Sequence, residues 1–190
     1  NSLRRLGVSC VDLYQIHWSD IAMASIESLM DAMADAADAG KIKAIGVSNF
    51  SAQEMRAADA ALSRRGHRLA SNQVHYSLLH RAPEIDGVLD ACHELGVTLI
   101  AYSPLEQGIL CGTYDSGRRP SGPRAGLAAF SEDNLAAAAP LIALLREIGE
   151  GLGGKLPEQV ALRWLMQRQG VLPIAGAKTG AQAERNAGAL

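Results

Sequence analysis

Val11-Asp12-Leu13-Tyr14-Gln15-Ile16-His17-Trp18 is a largely apolar run that ends abruptly in residues suited to chemistry. The same pattern returns in residues 44–49, 70–75, 98–103 and 171–178. Together the runs deliver His17, then Ser48 and Asn49, then Gln73, then Tyr102 and Ser103, and last Lys178. Parallel strands covered on both faces read as apolar runs. Polar groups gathered at the C-terminal ends of such strands mark the active-site face of a barrel. The pattern points to an enzyme. It also leaves strands to account for, because a closed barrel of this type has eight and the sequence offers five runs.

Between the runs lie helical patterns. Residues 25–39 place Ile26, Leu29, Met30, Met33 and Ala37 on one face, with Gly40 as the stop. Ser51-Ala52-Gln53-Glu54 reads as a capping box opening a helix that stops at Gly66. One further helix is expected over residues 83–95, ended by Gly96. The first four strands recur at about thirty residues, the size of one βαβ unit. Residues 106–126 are rich in Gly, Pro, Ser and Arg, and so long a connection is either a disordered linker or a functional lid. Helices follow near 134–150 and 157–169, then a strand over 171–174 and a helix from Thr179. Asn1 to Gly7 reads as the last turns of a helix, so the chain is expected to begin within an element.

Composition narrows the class. The chain has 190 residues, 48% hydrophobic and 20% charged, with a net charge of −2. These values suit one soluble globular domain and give no bulk basic surface for nucleic acid or anionic membrane. No apolar stretch reaches the ~18 residues of a membrane span. Cys10, Cys92 and Cys111 lack the spacing of a disulfide framework or zinc site. Reduced thiols in an intracellular compartment are expected, with Cys111, in a Gly-rich and exposed-looking segment, the one with a claim to reactivity. No metal-ligand spacing links the histidines, and neither G-x-G-x-x-G nor G-x-x-x-x-G-K-[ST] occurs.

The polar tips admit specific chemistry. His17 shares a strand face with Gln15 by period-2 alternation and can donate to a carbonyl oxygen, or bond a neighbouring backbone as a structural His. Asn49 and Gln73 each offer an amide donor and acceptor, the complement of a carboxamide ligand; Ser48, Asn49 and Ser51 equally suit a helix cap. Tyr102 can stack on a flat heteroaromatic ring or serve as a rim aromatic. Gly176-Ala177-Lys178-Thr179-Gly180 places a cation beside a helix N-terminus, which suits a phosphate.

These residues, in this order, resemble the aldo-keto reductase family. The matching stretches are Val11 to Trp18, Ile45-Gly46-Val47-Ser48-Asn49-Phe50, Ser71-Asn72-Gln73-Val74, Ala101-Tyr102-Ser103-Pro104-Leu105, and Pro173-Ile174-Ala175-Gly176-Ala177-Lys178-Thr179. Ser77 to Glu84 and Ser121-Gly122-Pro123-Arg124 are most similar to the branch with plant plastid members. The resemblance implies an α/β fold, a partial (β/α)8 TIM barrel with five of eight parallel strands. Residues 1–190 would be the C-terminal part of one barrel domain, its first three βα units absent. It implies NADPH/NADP+ as cofactor and a small-molecule carbonyl substrate. His17 would be the catalytic His that orients the carbonyl, and Trp18 would wall the substrate pocket. Ser48, Asn49 and Gln73 would hold the nicotinamide carboxamide, and Tyr102 would stack on its ring. Ser103, Leu105, Gln107 and Gly108 would lie along the pyrophosphate, with the loop carrying Arg124 folded over it. Lys178 and Gln182 would meet the 2′-phosphate, and Asn186 the adenine.

Three positions depart from the family pattern: Ser19 for a proline, Thr113 for a pyrophosphate lysine, and Arg185 for an acid that contacts adenine. The absent units would carry the family's Asp, its general-acid Tyr and the Lys beside it. The parent protein is therefore expected to reduce aldehydes or ketones, while this chain alone is expected to be inactive. An NADPH-binding regulatory module like the potassium-channel β subunits, or a fragment without function, are the alternatives. The expected location is soluble and intracellular, in a plastid by the resemblance and otherwise cytoplasmic.

Overall fold

The computed structural model describes residues 1–20 and 24–190. A short helix α1 (Ser2–Leu6) leads into β1 (Val11–Ile16). Then α2 (Ile26–Asp38), β2 (Ile42–Ser48), α3 (Ala52–Ser63) and β3 (Leu69–His75) alternate. Helices α4 (Ala82–Ile85) and α5 (Val88–Leu95) precede β4 (Thr98–Tyr102). After a stretch of 3-10 turns come α6 (Glu132–Gly151), α7 (Pro157–Met166), β5 (Val171–Pro173) and α8 (Gly180–Ala187).

The five strands form one parallel sheet in the order β1-β2-β3-β4-β5. That order is what repeated right-handed crossovers produce. The expectation of an α/β fold with five parallel strands of a partial barrel therefore holds, and all five strands fall where the apolar runs placed them. The capping box holds as well. Ser51 Oγ accepts from Glu54 N at 3.3 Å while Glu54 Oε2 accepts from Ser51 N at 2.8 Å. Ser25 caps α2, Ser131 caps α6 and Thr179 caps α8 through their hydroxyls.

Two compact units make up the described chain. The first comprises Asn1–Tyr76, Arg81–Ala101 and Gly170–Leu172; the second comprises Ser77–His80, Tyr102–Gln169 and Pro173–Leu190. In the first, Met30, Met33, Met55, Ala58, Leu62, Ala91 and Cys92 are buried where α2, α3 and α5 pack together and cover the sheet. In the second, Ile109, Phe130, Leu135 and Ala138 form one apolar cluster with Tyr114 against it, and Leu110, Ile142, Leu145 and Ala161 form another.

β1 is an edge strand, paired with β2 alone among the described residues, and Leu13 and Tyr14 on it are 36% and 44% exposed. One expected element needs correction: the single helix over 83–95 is two helices, broken at Asp86 and Gly87, where φ is +82°. Residues 106–126 do not form a disordered linker, one of the two readings open for them. They turn as 3-10 segments anchored by the buried Ile109 and Leu110, and Arg119 Nε donates to the carbonyl of buried Phe130 at 2.8 Å. Among the described residues, no helix is long and apolar enough to cross a membrane, and no His, Cys, Asp and Glu group could hold a metal ion.

Candidate active site

The strand tips in the first unit are built around a polar layer. Parallel register pairs Gln15 with Gly46, Gly46 with Ser71, and Ser48 with Gln73. Gln15 Nε2 donates to the Val47 carbonyl at 3.0 Å and reaches the buried Ser71 hydroxyl at 3.4 Å. Gly46 is required by close approach: a Cβ there would lie 2.3 Å from Ser71 Oγ and 2.8 Å from Gln15 Cγ. Side chains alternate along a strand, so His17, Ser48 and Gln73 stand on this same face, one step nearer the C-terminal ends.

At those ends the chain is held tightly. Ser48 Oγ donates to the Gln73 carbonyl at 2.7 Å, and Asn49 N donates to the same carbonyl at 2.9 Å. Asn49 turns the chain at φ +58°, a left-handed conformation that Asn tolerates better than most residues. Its Nδ2 donates to the His17 carbonyl at 3.2 Å and to Ser48 Oγ at 3.1 Å. The structure thus brings His17, Ser48, Asn49 and Gln73 together. The exposed His17 ring lies beside the Trp18 indole, centroids 5.5 Å apart.

The second unit holds the other candidates in two groups. Tyr102 ends β4, and its phenol is held above its ordinary pKa by burial and, secondarily, by the Glu106 carboxylate. Ser103, Glu106 and Gln107 all have positive φ, at 51°, 47° and 53°. Gly108 follows at 104°, a value that favours glycine. The Leu105 carbonyl accepts from Gly108 N at 2.9 Å and from Leu110 N at 3.3 Å, which closes this tight turn. Arg124 Nη1 donates to the Gln107 carbonyl at 3.0 Å, and its guanidinium lies over the Tyr114 ring. The loop carrying Arg124 therefore folds onto Gln107.

The second group surrounds the start of α8. Gln182 Oε1 accepts from Lys178 N at 2.6 Å, and Asn186 Nδ2 donates to the Gly176 carbonyl at 3.3 Å. Gln182 and Asn186 thus brace the segment that presents the exposed Lys178. Arg185 pairs with the buried Glu158 carboxylate at 3.3 Å.

Sequence reasoning overlooked Asn72, fully buried, and Ser77, whose hydroxyl donates to Glu106 Oε1 at 2.6 Å. A polar side chain in an apolar strand was the available signal for Asn72. None marked Ser77, because its partner lies 29 residues away. Cys111 needs a correction: it is partly buried, and its thiol is pushed up to about 11 by burial and then by the Glu158 carboxylate. It is therefore not a reactive thiolate.

The family model for the aldo/keto reductase family matches residues 1–190. An uncharacterised oxidoreductase of Mycobacterium tuberculosis is 44% identical over 188 residues, 99% of this chain and 56% of the relative. A chloroplastic pyridoxal reductase of Arabidopsis thaliana is 37% identical over 191 residues, covering all of this chain and 51% of the relative. An NADH-specific methylglyoxal reductase of Escherichia coli is 30% identical over 192 residues, covering all of this chain and 57% of the relative. A solved glycerol dehydrogenase from Gluconobacter oxydans superposes with a TM-score of 0.84 at 29% identity, over 97% of this chain and 54% of that one. The chain thus spans about half the length of the relatives it matches.

Proposed function

This chain belongs to the aldo/keto reductase family, whose members are nicotinamide-dependent oxidoreductases, and we propose that it is the cofactor-holding part of an NADPH-dependent carbonyl reductase. The observation that carries this reading is the meeting of strand ends at Asn49. Its side chain reaches the His17 carbonyl, and its own N–H reaches the Gln73 carbonyl. A carboxamide needs both donors and acceptors, and Ser48, Asn49 and Gln73 would supply them at adjoining strand ends. Bound there, a nicotinamide would supply the hydride. His17, exposed at the tip of β1, would donate to the substrate carbonyl oxygen and orient it. Trp18 would wall the substrate side of that His, and Tyr102 would offer its ring to stacking.

Ser103, Leu105, Gln107 and Gly108 would follow the diphosphate through their strained turn, with Arg124 over it. Lys178, beside the N-terminus of α8, would meet a 2′-phosphate, with Gln182 and Asn186 toward the adenosine end. This cation favours NADPH, a choice that family membership leaves open, since the Escherichia coli relative is named NADH-specific. Residues 1–190 would form the C-terminal part of one barrel, with the general-acid Tyr, its Lys and the Asp on three further βα units of the full-length protein. A plastid location has the Arabidopsis relative behind it; the more similar mycobacterial relatives carry no compartment in their names.

The test is to assay the 190-residue chain alone for NADPH binding and for aldehyde-dependent NADPH oxidation. Binding of NADPH in preference to NADH, with turnover at least ~10²-fold below that of a full-length relative, is expected if the proton donor lies on the further units proposed above. Turnover near that of the relative would overturn the assignment of the acid to other segments. Preference for NADH would overturn the role of Lys178.

A further inference from the structure

We infer that Asn72 is a positioning residue that sets the geometry of both Asn49 and Gln73, and through them the grip on the nicotinamide carboxamide. The inference rests on the NADPH reading above. Asn72 is 0% exposed, among the largest fully buried side chains of the molecule. It lies on the face of β3 opposite Ser71 and Gln73, by alternation. Its amide is fully used. Nδ2 donates to the Phe50 carbonyl at 2.9 Å and to Met55 Sδ at 3.1 Å, and Oδ1 accepts from Phe50 N at 3.4 Å.

Asn72 therefore grips one residue, Phe50, by both its N–H and its C=O. This is what a neighbouring strand would do, and it occurs two residues beyond the last paired residue of β2. The ladder itself stops at the pair of Ser48 and Gln73. Between Ser48 and Phe50 stands Asn49, at φ +58°. A non-glycine residue persists in that region when its surroundings over-determine it. The surroundings here are the Gln73 carbonyl on the Asn49 N–H and the Asn72 amide on the next peptide. Asn72 is also the chain neighbour of Gln73, so a single buried amide fixes the backbone on both sides of the cradle. No other side chain of this size has the same pattern of two donors and one acceptor. Aspartate keeps the shape and loses the donors, and serine keeps a hydroxyl too short to span to Phe50.

The experiment compares two ligands that differ only in the nicotinamide: NADP+ and 2′-phospho-ADP-ribose. Dissociation constants are measured for the full chain and for its Asn72→Asp and Asn72→Ser variants. About a tenfold loss for NADP+, the effect of ~1.4 kcal/mol, with 2′-phospho-ADP-ribose binding unchanged, is expected. A merely structural role would weaken both ligands alike, and that result, or no loss for either, overturns the inference. If the unsubstituted chain binds 2′-phospho-ADP-ribose as tightly as NADP+, the carboxamide has no grip to position; the inference then fails while the phosphate part of the reading stands. Binding of neither ligand sinks the NADPH reading and this inference with it. Should both variants fail to fold, hydrogen exchange on the unsubstituted chain decides. NADP+ must slow exchange at the Phe50 N–H more than 2′-phospho-ADP-ribose does, and equal protection overturns the proposal.

Discussion

Arg185 on α8 pairs with the carboxylate of Glu158 on α7 at 3.3 Å, and the two side chains are 46% and 9% exposed. Glu158 is buried and needs a counter-charge, and α8 supplies it.

Reversing the charge at position 185 should therefore harm the fold. Arg185→Glu would set a second carboxylate beside Glu158. Because Arg185 is nearly half exposed, solvent limits the effect to about 1 kcal/mol, a fall of about 2–4 °C in Tm for a chain of this size. The charge-swapped double variant, Glu158→Arg with Arg185→Glu, should recover part of that loss. Thermal melts of the three proteins check the coupling, and additive losses would show that the pair contributes nothing.

Glu106 is held at its end of the turn by Ser77. The Ser77 hydroxyl donates to Glu106 at 2.6 Å and accepts from the N–H groups of Leu79 and His80 at 3.1 and 2.9 Å. Ser77→Ala removes all three bonds at a buried site, and about 1–3 kcal/mol of stability should go with them. Urea unfolding measures this. Glu106→Gln has a separate readout in the Tyr102 phenol. Removing a nearby negative charge makes ionisation easier, so the Tyr102 pKa should fall. It should stay above the ordinary tyrosine value, because burial is the larger cause of its elevation. An ultraviolet titration of the phenol follows both changes.

Gly46 leaves no room for a methyl group. A Cβ would meet Ser71 Oγ at 2.3 Å, inside the layer where Gln15 also reaches Ser71. Gly46→Ala should cost about 1–3 kcal/mol by overpacking. Pairing it with Ser71→Gly should return much of the loss. A double variant no more stable than Gly46→Ala would locate the strain elsewhere.

The thiols give a pH dependence of known sign. Burial pushes Cys92 up to about 12 and Cys111 to about 11. Each thus binds its proton more tightly folded than unfolded. The stability this contributes is complete below the unfolded value of 9.0 and is lost as pH rises through 11 and 12. Alkaline unfolding should show that decline, and Cys92→Ser should reduce it. At pH 8 neither thiol should react with a disulfide reagent until denaturant is added. Rapid labelling of Cys111 in the folded chain would contradict its shielding.

What could be read from the sequence was local or periodic. The capping box at Ser51 and Glu54 spans four residues, and the structure contains it. The apolar runs lie where β1 to β5 lie, because a strand's burial is written into consecutive residues. The tips that carry His17, Ser48, Asn49 and Gln73 were legible for the same reason, since a polar residue closing an apolar run shows without any knowledge of its neighbours.

The tertiary structure decided whatever depends on a partner far along the chain. Tyr14 is 44% exposed because β1 is an edge, and strand order is not a property of any one strand. Cys111 reads as open, yet burial and the Glu158 carboxylate 47 residues away in sequence suppress its ionisation. Asn72 reads as an oddity in a strand. Its meaning comes from Phe50, 22 residues earlier, which only folding brings within 2.9 Å. Periodicity and capping are short-range and survive in one dimension. Pairing, burial of a charge and the shift of a pKa are set by which segments meet, and that is settled when the sheet and its helices pack.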